Sequence, residues 1–123
     1  MTVATRPIVF DKKHALARLG GLEDVLHDVM ELMTTECPKS HAGIGAAWGR
    51  RDSCELKRCA HTLKGSVSLV GAADLVRRLK RVEDCATAGE FDKAAAEFHE
   101  IDVQFFELQS ALRRELSSVE CSR

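Results

Sequence analysis

Glycine punctuation is the feature that most constrains what this chain can fold into. Gly20-Gly21, Gly71 and Gly89 each follow a run of apolar residues at helical spacing, and each stands where such a run stops. Phe10-Asp11 opens the first run: Asp11 is placed to cap free amides, and Phe10 precedes it as a staple residue. Leu16 and Leu19 follow before the glycine pair. A second run begins with Glu23 and Asp24, favourable to the helix dipole, and carries Val25, Leu26, Val29, Met30, Leu32 and Met33. Pro38 then fits the first turn of a separate helix with Ile44, Ala47 and Trp48 inward. Gly43, Gly45 and Gly49 make that helix the weakest; they read as close helix packing or local mobility, because the spacing of a phosphate-binding loop is missing. Asp52 or Ser53 caps the next helix, which runs to about Val70. Helices over Ala72 to Ala88, burying Leu75, Leu79 and Val82, and over Phe91 to Leu116 complete the chain.

The short connectors imply antiparallel neighbours. The expected fold is therefore all-α, an up-and-down antiparallel four-helix bundle with one or two short accessory N-terminal helices. The expected organisation is a tail over 1–9, one domain over 10–117 and a second tail over 118–123.

The helix before Gly71 carries the chemistry. Projected at about 100° per residue, Leu56, Cys59, Ala60, Leu63, Val67 and Val70 share one apolar stripe. Lys57, His61, Lys64, Gly65 and Ser68 fall on the opposite side. A neutral imidazole is a nucleophile near neutral pH and forms covalent intermediates. Lys64, three residues on, projects beside it and can neutralise an incoming phosphoryl group. Gly65 costs roughly 1 kcal/mol relative to alanine in a helix interior. It removes a side chain where a partner or phosphoryl oxygens must come close. The stretch itself offers no acid beside the histidine and no backbone anion loop, so it reads as a group carrier whose partner supplies the remaining machinery.

His61-Thr62-Leu63-Lys64-Gly65-Ser66, with Ala60 before it and Gly71-Ala72 after it, resembles the signature of histidine-containing phosphotransfer (HPt) domains. Phe10-Asp11, Leu16, Leu19, Gly20-Gly21, Pro38, Asp52, Glu83 and Gly89 extend the resemblance over about residues 10 to 115. It implies a phospho-accepting His61, with Lys64 as the phosphate-side cation and Gly65 as the position of close approach. It also implies partners: receiver domains whose aspartates donate and accept the group, and a hybrid histidine kinase as a further candidate. No cofactor of its own is expected; a divalent metal, Mg, would belong to the receiver. Lys57, Arg58, Ser68 and Leu69 are candidate docking residues.

Composition agrees with a helical fold. Aromatics are only 5% and Tyr is absent, which disfavours a β-sandwich or barrel. The formal net charge of -1 gives no global field for nucleic acid or membrane. Residues 51–81 hold eight Lys/Arg against three Asp/Glu, and residues 82–120 hold three against ten. The histidine segment thus reads as a basic region suited to an acidic protein surface. Cys37, Cys54, Cys59, Cys85 and Cys121 are odd in number and lack framework spacing, so they are expected to be reduced thiols. No metal site is expected, because no CxxC or HxxxH motif occurs. The N-terminus lacks a charged-then-apolar leader and no apolar run approaches membrane length, so the expectation is a cytoplasmic protein; a monomer is expected because the bundle can close its own core.

Two other classes compete. An autonomous kinase needs a nucleotide domain for which the chain has no room, and dimerising kinase helices follow their histidine with an acid or Asn and then Pro. A non-catalytic helical-bundle interaction module is the alternative that remains.

Overall fold

The computed structural model describes residues 9–121, with side chains through Ser118. The expected tails fall largely at its margins: residues 1–8 lie outside the described residues, whereas Val9 packs against the core.

Five α-helices make up the described residues. Helix α1 spans Lys12–Arg18; Asp11 caps it, its Oδ1 accepting from the His14 amide at 3.1 Å. Gly20 and Gly21 follow in the left-handed region, at φ 66° and 77°, which turns the chain at little steric cost. Helix α2 spans Glu23–Gly49, α3 Ser53–Ser68, α4 Ala73–Ala88 and α5 Phe91–Cys121. Asp52 caps α3, its Oδ1 accepting from the Glu55 amide at 3.1 Å. Gly89, at φ 72°, closes α4, and the Glu90 amide donates back to the Cys85 carbonyl at 2.8 Å.

Two expectations are corrected. Pro38 does not start a helix; it lies inside the 27-residue α2. A proline there removes one ladder bond and costs about 3 kcal/mol in isolation. The reason the helix continues is its buried stripe: Leu26, Met30, Met33, Cys37, Ile44 and Ala47 keep one period through the proline, which sits off that stripe, half-buried. Burying six such side chains outweighs one lost bond. The last helix also runs past Leu116, to Cys121.

The helices pack in a ring: α2 on α3, α3 on α4, α4 on α5, and α5 back on α2, with α1 laid against α2. Leu56, Leu63, Leu75, Leu79, Ile101, Leu108 and Leu112 are fully buried at its centre. Gly43 lies against α3: a Cβ there would stand 2.7 Å from Cys59 Sγ. Close packing is thus the reason for Gly43, while Gly45 and Gly49 face open space. At the far end, Trp48 Nε1 donates to the Phe91 carbonyl at 2.8 Å, tying α2 to the start of α5. No helix of the described residues is long and apolar enough to cross a membrane.

Candidate functional site

His61 lies on α3, on the side away from the core. Leu56, Cys59, Ala60, Leu63 and Val67 take the buried stripe of that helix, so position 61 is forced outward; its side chain is 70% exposed. The neighbouring helix supplies what α3 lacks. Glu83 Oε1 lies 2.8 Å from His61 Nδ1, and Glu83 Oε2 lies 2.5 Å from Lys64 Nζ. Glu83 is only 3% exposed, because it sits one residue beyond Val82 on the buried face of α4.

Burial works to raise the Glu83 carboxyl. The hydrogen bonds from Lys64 and His61, with their charges, more than reverse it and hold the group below the ordinary carboxylate value. Glu83 is therefore ionised at neutral pH and can only accept. Nδ1 of His61 must then carry a proton, which makes Nε2 the nitrogen that offers a lone pair in the neutral ring; Nε2 has no partner among the described residues. The acid that orients the imidazole comes from α4, not from the neighbouring sequence of α3. One signal marks it: Glu83 is a carboxylate four residues after Leu79, inside an apolar stripe where a charge normally has no place.

His61, Lys64 and Gly65 lie outside the buried stripe of α3. Lys64 is not a loose point charge: it is 21% exposed and ion-paired with Glu83. Gly65 is exposed, and a Cβ there would meet nothing within 4 Å. His61 borders a shallow depression of about 390 Å³, lined also by Cys54, Lys57, Arg58, Thr62 and Glu83.

The candidate docking residues divide. Lys57 is exposed on the rim. Arg58 is committed to Glu55, which it contacts through both Nε and Nη2. The Ser68 hydroxyl donates to the Gly65 carbonyl at 2.8 Å. Leu69, the residue after α3, is half-buried. Leu32, one of the apolar residues of the α2 run, is 61% exposed.

The basic region also needs revision. Arg77 pairs with Asp74, Arg78 with Asp74 and Glu97, Lys80 with Asp84 and Arg81 with Glu97. The α4 cations are thus neutralised within α4 or by the acidic α5, and among the described residues Lys57 is the cation near His61 without an ion-pair partner.

An all-helical ring with an exposed, carboxylate-held histidine defines a class of helical carrier, and the comparisons give the family. A family model described as the Hpt domain matches residues 28–120, and the chain belongs to that family. Hpt-domain proteins act as phosphocarriers in phosphorelays rather than as ATP-using kinases. Among solved structures, the fold is similar to histidine-containing phosphotransfer protein B (HptB) from Pseudomonas aeruginosa. The TM-score is 0.81 at 21% identity, covering 92% of this chain and 98% of that one. No curated protein matches the sequence.

Proposed function

We propose that this protein is a phosphorelay intermediate that accepts a phosphoryl group from a receiver-domain aspartate onto His61. It then passes the group to another receiver aspartate, or back. The observation that carries the reading is the state of the imidazole: Nδ1 is held by Glu83 at 2.8 Å while the rest of a 70% exposed side chain faces water.

In this reading Nε2 attacks the phosphorus of the aspartyl phosphate in line. The N–P bond forms as the P–O bond to the receiver carboxylate breaks, and the carboxylate leaves with the bonding electron pair. The phosphorylated ring keeps the proton on Nδ1, donated in a hydrogen bond to Glu83, whose negative charge stabilises the positive ring. Lys64 lies within the same cluster and can share its charge between Glu83 and the phosphoryl oxygens. Gly65 leaves the approach open. The chain needs no cofactor of its own, and the divalent metal, Mg, is the receiver's.

The supporting scaffold is an antiparallel four-helix bundle that closes its own core. Lys57 and Leu69 offer a mixed cationic and apolar rim for the receiver, with Arg58 and Ser68 as lesser contacts. A hybrid histidine kinase is a further partner through its own receiver, and the working compartment is the cytoplasm.

The test is His61→Gln challenged with a phosphorylated receiver. The variant is expected to take up no acid-labile phosphate and to keep wild-type helicity, because position 61 supports no apolar layer. Substantial remaining uptake at another residue sinks the assignment.

A further inference from the structure

Because His61 and Glu83 occupy the α3–α4 seam, the ring order sets the α2–α5 seam on the opposite side of the molecule. That seam holds a groove of about 750 Å³ walled by Pro38 and His41 of α2 and by Val103, Phe105, Phe106 and Gln109 of α5. Its floor is fixed. The His41 ring stacks on Phe105 at a centroid distance of 4.4 Å, and His41 Nε2 lies 2.7 Å from Asp102 Oδ1. Beside this hole stands a knob: Phe106 is 71% exposed.

His99, Asp102, Phe106 and Arg113 recur at spacings of three, four and seven along α5, so they form one stripe of its outer face. A knob and a hole on the same face are what an isologous two-fold contact requires, since each copy must offer both halves. The charges along the stripe are also self-complementary. Asp102 is 63% exposed at one end, and Arg113 is exposed at the other, without an ion-pair partner among the described residues.

We propose that this face docks a second copy of the same chain, α5 against α5, antiparallel. A two-fold axis between Glu107 and Leu108 brings Asp102 level with Arg113 of the second copy. It also sets Phe106 against Gln109 and Ser110 of the second copy, over the groove. Glu107 stands about 100° round the helix from Phe106 and does not confront itself across the axis. Glu36 and Lys39, the charged pair on the adjacent turn of α2, neutralise each other at 2.8 Å. The arrangement replaces the expected monomer with a dimer whose two histidine faces point away from each other.

Sedimentation velocity on the full chain, from about 5 to about 500 µM, tests it. A concentration-dependent dimer is expected. Phe106→Glu is expected to weaken it by at least about tenfold, and Asp102→Arg or Arg113→Asp by a similar factor. The double exchange Asp102→Arg/Arg113→Asp restores association, because the pair is re-formed with its signs reversed. Circular dichroism checks that each variant keeps its helices. Phosphate uptake by His61 is independent of all four variants, so failure of the carrier reading and failure of this one are separately visible. A wild type that stays monomeric throughout, a dimer that Phe106→Glu leaves intact, or a double exchange no better than either single change overturns the proposal.

Discussion

A carboxylate shut away from water normally becomes neutral, and Glu83 does not because two donors converge on it. Burial disfavours its charge, but Lys64 and His61 lower its pKa below the ordinary value. The folded state therefore binds that proton less readily than the unfolded chain. Glu83 contributes stability above the unfolded carboxylate pKa, and the contribution is lost as pH falls through the lower folded value. Urea unfolding of the wild type and of Glu83→Gln, followed from neutral pH down through the carboxylate range, checks this. The difference in stability between the two should shrink toward acid, and a difference independent of pH would exclude the ionised carboxylate. The amide also no longer fixes Nδ1 as the donor, so transfer to His61 should slow on the order of tenfold or more even at neutral pH.

At the scale of the helix, two glycines that look alike in the sequence do opposite things. Gly65 faces open space on α3, so Gly65→Ala should stabilise the isolated protein by up to about 1 kcal/mol through helix propensity. Gly65→Gln should keep that fold yet reduce transfer on the order of a hundredfold, because its side chain stands where donor and acceptor must close to near-attack distance. A Gln variant that transfers normally removes the close-approach role. Gly43 lies under α3 instead, where a new Cβ meets Cys59 Sγ at 2.7 Å. Gly43→Ala gains the same propensity but overpacks a buried thiol, at a cost of about 1 to 3 kcal/mol, so a net loss of roughly 1 kcal/mol is expected. Adding Cys59→Ala should recover most of it, and thermal unfolding of the double-mutant cycle measures the coupling. Pro38 belongs to the same scale: its local preference for a helix start gives way to the unbroken buried stripe of α2.

Across the whole molecule, charge is arranged to cancel. The arginines and lysine of α4 find Asp74, Asp84 and Glu97, so the two oppositely charged halves of the sequence largely neutralise each other where they pack. An exposed pair such as Lys80–Asp84 adds little stability, but together these pairs erase the basic field that composition implies. Long-range steering of an acidic receiver should accordingly be weak. Raising salt from about 50 to about 500 mM is expected to change the transfer rate by no more than about threefold. A fall of more than about tenfold in stopped-flow transfer would show that a basic field persists.

Apart from the break expected at Pro38 and the end expected at Leu116, the sequence by itself determined the helices and the exposure of the histidine. Both follow from local physics: a 3.6-residue period, caps at Asp11 and Asp52, and glycines at positive φ that stop a run whatever surrounds it. Once Leu56, Leu63 and Val67 are inward, His61 has nowhere to point but out. What only the tertiary structure decided concerns groups far apart in the chain. Glu83 lies 22 residues from His61, and no local pattern states that α3 and α4 meet in the register that joins them. Likewise, nothing near Gly43 in the sequence announces Cys59, and nothing near Arg78 announces Glu97. Periodicity fixes which way a side chain faces, whereas its partner is set by how helices slide and turn against each other. That register is fixed by the packing of the whole core.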